Sequence, residues 1–308
     1  GDPANTDLSA WNIRVYSGTF ELPSGILTLG ENLNSGGIYN SLYTAGSGAI
    51  THNGSGKVIC KGSRNIQYTA NGSISLYDLE IDKGAAEIRI LNGDIHIANE
   101  LKLLGSPSFY VFDNALYTKD LVLNGTMYFD DNGSLVQTQG GTFSGTGEID
   151  YQRIGITENT GFSLWSSPVA NADLFQVFEH SNQCVLYGFD QAQQLWRFDL
   201  QPGQPLNCAG FPTMNATWSM GPGSGYNVDG LMDPGLGYAA TGSTLANDSI
   251  RTFVGEPNNG PIAVPVKTTS VVHTVWVGSD WGLVGNPYPS AIGMNEFWQE
   301  NANIQCQN

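Results

Sequence analysis

The stretch that decides the fold is residues 71–82, which read Asn-Gly-Ser-Ile-Ser-Leu-Tyr-Asp-Leu-Glu-Ile-Asp. An Asn-Gly pair favours a tight turn, and the alternation of apolar and polar residues after it is typical of a strand with one buried face. Because neighbouring side chains of a strand point to opposite faces, Tyr77, Leu79 and Ile81 are predicted to point inward. The carboxylates between them are predicted to face solvent: Asp78, Glu80 and Asp82.

The same turn recurs along the first half of the chain. Turn-forming Asn residues follow one another at steps of 18, 21, 22 and 18 residues, and four of the five precede Gly: Asn53, Asn71, Asn92, Asn114 and Asn132. One coil of this kind cannot bury its apolar side alone, so the period favours a stacked parallel β-helix over residues 1–152. Ile74, Ile95 and Leu135 are predicted to occupy equivalent buried positions. Because the period is irregular, a sandwich of antiparallel strands remains the alternative.

The second half has a different composition and no such period. Six of the seven Trp residues lie after residue 152, together with most of the Pro residues. Two apolar segments, 185–190 and 195–198, are predicted to pair as a hairpin, and two further strands are predicted at 264–267 and 271–277. A short helix is predicted at 295–303. The chain is therefore predicted to be all-β, with a β-sandwich-like domain over residues 153–308 after the β-helix.

Charge narrows the range of partners. The chain carries 28 acidic and 12 basic side chains, a formal net charge of −16. Such a surface repels phosphate backbones and anionic lipids, so neither nucleic acid nor membrane insertion is predicted. No apolar stretch approaches the roughly 20 residues that span a bilayer. The opening Gly-Asp-Pro has the character of a mature or trimmed start.

The four Cys residues include no C-x-x-C pair and no zinc-like spacing from His. Cys60 shares strand parity with Val58, which predicts a buried thiol. Cys184 and Cys208 flank the predicted hairpin, so they are predicted to form a disulfide if the protein is exported. The alternative is that all four remain thiols.

The sequence carries none of the common hydrolase motifs. The sequence contains no G-x-S-x-G and no H-E-x-x-H, and its four His residues are isolated. His96 alternates with Ile95 and Ile97, which predicts that it faces solvent. Three carboxylates on one strand could hold a hard cation, as on β-helical lyases, but a solvated face is the favoured interpretation of 78–82. No catalytic residue, metal or cofactor is predicted.

Aromatic residues in loops are the candidates for ligand contact. Tyr226, Tyr238 and Tyr288 lie in Gly- and Pro-rich segments, where exposed binding residues concentrate. Aromatic rings present apolar area with a polar edge, which suits stacking against a sugar.

Two segments of the second half carry a resemblance to a known family. Residues 161–169 read Gly-Phe-Ser-Leu-Trp-Ser-Ser-Pro-Val, and residues 281–292 read Trp-Gly-Leu-Val-Gly-Asn-Pro-Tyr-Pro-Ser-Ala-Ile. They resemble the "SSPV" opening and the "GNPYPS" closing segment of a module in exported Bacteroidetes proteins. Between them, 235–238 and 253–255 match its "G-x-GY" and "F-x-G" segments. The resemblance spans about residues 153–304.

This resemblance implies a location more than an activity. Proteins with such modules are typically exported by the type IX secretion system, so a non-catalytic secreted or cell-surface protein with a structural or adhesin role is the leading hypothesis. The implied partners are the export machinery, other surface components or further copies of the chain. The alternatives are a polysaccharide-binding module and a β-helical polysaccharide lyase or hydrolase. By the same resemblance, Asp248-Ser249-Ile250 fits a Bacteroidetes O-glycosylation sequon with Ser249 as acceptor.

The C-terminal end carries one more expectation. The resembling module normally continues past its closing segment through a short helix into another strand, whereas this sequence ends at residues 305–308. An unpaired strand edge invites pairing with another chain. The module is therefore predicted to be incomplete, with further residues or a partner strand at that edge.

Overall fold

The computed structural model describes residues 8–30, 39–157, 161–181, 186–190, 195–198, 230–245, 248–264 and 282–302. Nearly all regular structure in these residues is β-strand. Contacts divide the chain into two compact units, Gly1–Arg153 with Val254–Gly260, and Ile154–Phe253 with Pro261–Asn308. No helix among the described residues is long and apolar enough to cross a membrane.

In the described residues up to Ile154, sixteen strands follow one another along the chain. They are β1 (Leu8–Ala10), β2 (Ile13–Glu21), β3 (Ile26–Leu29), β4 (Tyr39–Thr51), β5 (Lys57–Gly62), β6 (Ile66–Ala70), β7 (Ser73–Lys83), β8 (Glu87–Leu91), β9 (Ile95–Leu104), β10 (Ser108–Val111), β11 (Ala115–Thr118), β12 (Asp120–Leu123), β13 (Thr126–Phe129), β14 (Ser134–Gln137), β15 (Phe143–Gly145) and β16 (Glu148–Ile154).

These strands form a parallel β-solenoid of about six turns. Its coils have three sides, because the parallel pairings between successive coils form three separate ladders. Side 1 contains β1, β3, β5, the ends of β7 and β9, β12 and β15. Side 2 contains the starts of β2 and β4, then β6, β8, β10, β13 and β16. Side 3 contains the ends of β2 and β4, the starts of β7 and β9, β11 and β14. The predicted β-helix is confirmed, and the antiparallel sandwich is wrong for this half.

The interior consists of apolar ladders that run along the stack. On side 3 one ladder passes through Ile50, Ile74, Ile95, Leu116 and Leu135, with 19 to 24 residues between successive members. Each of these side chains is at most 1% exposed. Removing this much apolar surface from water is the dominant favourable term in folding, at about 25 cal/mol per Å². The predicted equivalence of Ile74, Ile95 and Leu135 is therefore confirmed.

One predicted inward residue faces out. Leu79 and Ile81 are buried as predicted, but Tyr77 is half-buried and its ring lies 5.7 Å from that of His52. Strand β7 passes from side 3 to side 1, and its register with β9 shifts between Leu76 and Asp78. At this corner Tyr77 and Asp78 both lie outside the core, so the alternation changes phase and Leu76 takes the buried position.

The Asn-Gly turns have a steric reason. Asn92 has φ 59°, a left-handed conformation that Asn tolerates better than most residues. A Cβ atom on the next residue, Gly93, would lie 2.2 Å from the carbonyl oxygen of Ala70 in the preceding coil. Close stacking of the coils therefore requires glycine at this turn.

Short acidic and amide side chains join successive coils at their corners. Four of them accept a hydrogen bond from the backbone N–H of a residue 21 or 22 positions later. The pairs are Asn65 with Glu87 at 2.9 Å, Asp78 with Glu100 at 3.1 Å, Asp94 with Ala115 at 2.7 Å and Asp120 with Thr142 at 2.9 Å. These corner staples satisfy backbone donors where the strand ladders are interrupted.

The second unit contains antiparallel strands and short helices. Its strands are β17 (Phe162–Trp165), β18 (Ala172–Asp173), β19 (Tyr187–Asp190), β20 (Leu195–Phe198), β21 (Leu231–Met232), β22 (Tyr238–Thr241) and β23 (Ile250–Gly255); its helices are α1 (Leu174–Val177) and α2 (Met294–Glu300). A four-stranded sheet has the order β17-β22-β19-β20, and β18 pairs with β21. The predicted hairpin is confirmed as the antiparallel pair β19–β20. The predicted strand 271–277, and all of 264–267 except its first residue, lie outside the described residues.

The core of the second unit is aromatic. Phe178, Phe189 and Tyr238 are fully buried, and the Trp165 ring packs edge-on against Phe178 with centroids 5.5 Å apart. Part of β23 returns to the first unit, where the Asn259 side chain donates a hydrogen bond of 2.8 Å to the carbonyl of Gly141.

Candidate contact surface

Three neighbouring aromatic rings lie on the outer face of side 2, on β10 and β13 and directly after β10. Tyr110 and Tyr128 are register partners on β10 and β13, and their rings stack with centroids 4.7 Å apart and planes inclined by 12°. Phe112 lies beside Tyr110 at 5.6 Å and 16°. All three are half-buried. We call these three residues the aromatic strip.

Charged groups border the aromatic strip at both ends. Arg89 precedes Tyr110 in the ladder and is ion-paired with Glu87. Asp150 follows Tyr128. Burial raises the pKa of Asp150, and the nearby charge of Glu148 raises it further, against a lowering hydrogen bond with Gln152. The Asp150 Oδ1 atom is buried and has no hydrogen-bond partner among the described residues.

This arrangement combines apolar ring area with a guanidinium and a carboxylate. Sugars offer the complementary chemistry, because their C–H faces pack on rings while their hydroxyls pair with charged groups. Tyr110 and Tyr128 each use one ring face on the other. The surface that a ligand could contact therefore consists of the outer edges of these two rings, the Phe112 ring and the charged groups at the two ends of the strip.

A second outward stack lies on side 3. His96 and Tyr117 are register partners, and their rings stack with centroids 4.1 Å apart and planes inclined by 9°. His96 is exposed, which confirms the predicted outward orientation. The stack joins two coils across the outer surface, as the aromatic strip does on side 2.

The carboxylates of residues 78–82 face outward and are engaged by neighbouring coils. Glu80 forms an ion pair of 3.2 Å with Lys57, and Asp82 one of 3.8 Å with Lys61. Asp78 accepts a hydrogen bond of 2.7 Å from the Asn99 side chain. Within the described part of the chain, no three or more His, Cys, Asp or Glu side chains are grouped as a metal would need. All three carboxylates are engaged by side chains of the neighbouring coils.

The three tyrosines that were predicted as ligand contacts do not share one environment. The expectation that Tyr238 is an exposed contact is wrong: it lies on β22, is 0% exposed, and its hydroxyl accepts a hydrogen bond of 2.7 Å from the backbone of Asp233. Its ring fills the core because Gly235 and Gly237 form the turn and the tight packing before the strand. Tyr288 is half-buried, and its backbone N–H donates to Asn286 at 3.0 Å. Tyr226 lies outside the described residues.

The sequence predicts a buried thiol, a disulfide and a modified serine. Cys60 is 1% exposed, as predicted, and is a thiol whose sulfur lies 3.0 Å from the Tyr68 hydroxyl. Cys184 and Cys208 lie outside the described residues, so their disulfide stays a prediction. Ser249 is half-buried and its carbonyl accepts a hydrogen bond of 2.7 Å from Gly155. Its glycosylation also stays a prediction.

The sequence did contain a signal for the aromatic strip. Tyr110 and Tyr128 stand 18 residues apart, the same step as between Asn114 and Asn132. An outward position repeated at the coil period predicts side chains that stack across coils.

The comparisons with known proteins identify a family. The model of a domain of unknown function (DUF8693) matches residues 77–307, which include coils of the solenoid and the second unit. No curated protein and no solved structure matches the chain.

Proposed function

The chain belongs to the DUF8693 family, and we propose that it is a non-catalytic structural or adhesin protein of the cell surface, exported by the type IX secretion system. The solenoid acts as a stalk in this proposal. The observation that carries it is the continuous stack of coils, in which every side pairs in parallel from one coil to the next.

Two features of the stack suit a rigid stalk. Buried ladders such as the one through Ile95 resist separation of the coils, because opening any joint exposes apolar area on all three sides. The corner staples and the stacked outer rings add hydrogen bonds and ring contacts across the same joints.

Charge and sequence resemblance support the location. A net charge of −16 disfavours adhesion to anionic lipid and suits an exterior exposed to the medium, and Lys57 and Lys61 are ion-paired with Glu80 and Asp82. The segments at 161–169 and 281–292 resemble a module of exported Bacteroidetes proteins. The proposed partners are export components and other surface molecules.

A polysaccharide panel tests the absence of catalysis. The purified chain is incubated with pectin, alginate, xylan and other soluble polymers, with calcium and without. New reducing ends and unsaturated products are then measured. We expect neither new reducing ends nor unsaturated products with any of the polymers. Reproducible depolymerisation that follows the chain through purification would show that it is a lyase or hydrolase.

A polysaccharide-binding role is the second candidate, and the aromatic strip favours it. Rings bordered by Arg89 and Asp150 offer both the apolar and the polar contacts that a sugar needs. Affinity electrophoresis of the wild type and of Phe112→Ala against the same panel of polysaccharides tests this binding role. Tyr117→Ala, on another side of the solenoid, is the matched control. Loss of retardation in the first variant alone supports binding at the strip; equal retardation of all three proteins contradicts it.

A further inference from the structure

The corner between β4 and β5 carries an Asn-Gly pair whose surroundings differ from those of the other pairs in the solenoid. Residues 39–157 contain five such pairs, which begin at Asn53, Asn71, Asn92, Asn124 and Asn132. In four of them a Cβ atom on the glycine would lie 2.0 to 2.6 Å from a carbonyl oxygen of the preceding coil. Around Gly54, which has φ +91°, no atom of the described residues beyond its chain neighbours lies within 4 Å of that position. The Asn53-Gly54 corner therefore has space to change shape, whereas the stack fixes the other four.

Two hydrogen bonds organise this corner. The Gly54 N–H donates to Nδ1 of His52 at 3.0 Å. The Ser55 hydroxyl donates to Oδ1 of the Asn53 side chain at 2.9 Å. In the rearrangement that Asn-Gly pairs undergo, the glycine nitrogen attacks the side-chain carbonyl carbon of the asparagine. Here that nitrogen faces a base, and that carbonyl group is polarised by a hydrogen-bond donor.

A neighbouring coil holds the imidazole of His52 in place. Its ring centroid lies 5.7 Å from that of Tyr77 on β7, and His52 is half-buried. In neutral imidazole one nitrogen accepts and the other donates, so the bond from Gly54 places the ring proton on Nε2 and directs the lone pair of Nδ1 at the backbone. Asn53 and Gly54 themselves are exposed, so water can reach the side-chain amide.

Three of the other pairs direct their glycine N–H to oxygen atoms instead. Gly72 donates to the Thr44 hydroxyl at 3.1 Å, Gly93 to the Asn114 amide oxygen at 2.6 Å and Gly133 to the Asp130 carboxylate at 2.8 Å. These oxygens are weaker bases than imidazole. Both the space and the base for the rearrangement therefore coincide at Asn53.

We propose that Asn53 is a site of self-catalysed deamidation, with His52 as the base and Ser55 as the donor that stabilises the developing oxyanion. The Gly54 nitrogen attacks Cγ of Asn53 and forms a C–N bond, while its proton passes to Nδ1 of His52. The Cγ–Nδ2 bond then breaks, and the imidazolium returns the proton to the leaving nitrogen, which departs as ammonia. Water opens the resulting succinimide at either carbonyl and yields aspartate or isoaspartate. One water molecule is consumed for each ammonia released.

The stack tolerates the product of this reaction. Each conversion adds a carboxylate to an exposed corner, and isoaspartate also inserts one more carbon into the backbone. Because Gly54 lies in open space, the corner can absorb that change without disturbing the ladders. The reaction modifies the chain itself and turns over no other substrate, so it goes beyond the proposed surface function and does not depend on it.

Mass spectrometry of the full chain, read site by site, tests the proposal. The folded protein and the same protein in urea are incubated at neutral pH in heavy-oxygen water. Proteolysis follows in ordinary water, so that acid formed before digestion carries the label. In urea the Asn-Gly pairs should convert at similar rates. In the folded protein Asn53 should convert faster than in urea, while Asn71, Asn92 and Asn132 should convert well below their rates in urea.

Substitution of His52 separates its role as a base from its role in the corner. His52→Gln keeps an acceptor for the Gly54 N–H that cannot take up the proton, and His52→Ala removes the acceptor. Both variants should slow conversion of Asn53 by about tenfold or more in the folded protein and change it little in urea. Imidazole added to the buffer should accelerate His52→Ala more than the wild type. Ser55→Ala should slow conversion by about threefold or more.

His96→Ala is the matched control, because His96 is also an outward histidine packed against a tyrosine of the next coil, and it should leave the rate at Asn53 unchanged. Asn259 provides a comparison within the chain: the N–H of Gly260 donates to the Asn259 side chain at 2.8 Å, so Asn259 should convert more slowly than Asn53. Far-UV circular dichroism confirms that each variant is folded. Conversion of Asn53 no faster in the folded protein than in urea, or wild-type rates in both His52 variants, would overturn the proposal.

Discussion

Ile95→Asp is the sharpest test of the ladder architecture. Ile95 is 1% exposed and lies in register between Ile74 and Leu116. Removing the side chain in Ile95→Ala should already cost about 2–5 kcal/mol, the sum of lost transfer free energy and the cavity left behind. Aspartate adds an uncompensated buried carboxylate, which costs several kcal/mol more. Since domains are stable by about 5–15 kcal/mol, Ile95→Asp should unfold the solenoid.

Hydrogen exchange read peptide by peptide is the suitable assay, because the two units need not unfold together. Protection should fall in the coils on both sides of Ile95, and the alanine variant should lie between wild type and Ile95→Asp. The matched control is Ala98→Asp, an exposed position on the same strand, with an expected change within about 0.5 kcal/mol. Full protection of β7 and β11 in Ile95→Asp would refute the ladder.

Three further outcomes are expected. Partial burial would raise the pKa of Asp120, but hydrogen bonds from Thr142 and the charge of Lys119 hold it below its ordinary value. Asp120→Ala should therefore lower the free energy of unfolding by about 1 kcal/mol at neutral pH. This difference from the wild type should disappear as the pH falls through the lowered pKa of Asp120 in the folded state. Asp150→Asn should raise the melting temperature at neutral pH, because the buried carboxylate has a raised pKa, and the gain should shrink as acid protonates the wild-type group; an equal gain at every pH would contradict this. Alkylation of the native protein without reduction should leave Cys184 and Cys208 unlabelled, and labelling of either one contradicts the disulfide.

Much of the solenoid could be predicted from local sequence. The Asn-Gly turns report a backbone conformation that few residues adopt, and the alternation after each turn reports which side chains are buried. This was enough to place Ile74, Ile95 and Leu135 correctly. Tyr77 was misplaced because a corner inside one long strand changes the alternation without any turn residue to mark it.

The contact surface was harder to predict, because it depends on which strands become neighbours. Tyr110 and Tyr128 meet only when coils stack in one register, and Asn65 reaches Glu87 for the same reason. Tyr238 illustrates the opposite error. Its Gly-rich surroundings indicated an exposed loop, whereas those glycines allow close packing that buries the ring.

The central proposal is that this chain functions on the cell surface. The most direct measurement is protease shaving of intact cells that produce the natural protein, followed by mass spectrometry of the released peptides. We expect peptides of this chain to be released from intact cells, while cytoplasmic marker proteins remain protected. Recovery of the chain only after lysis, with surface and secreted fractions empty, would contradict it.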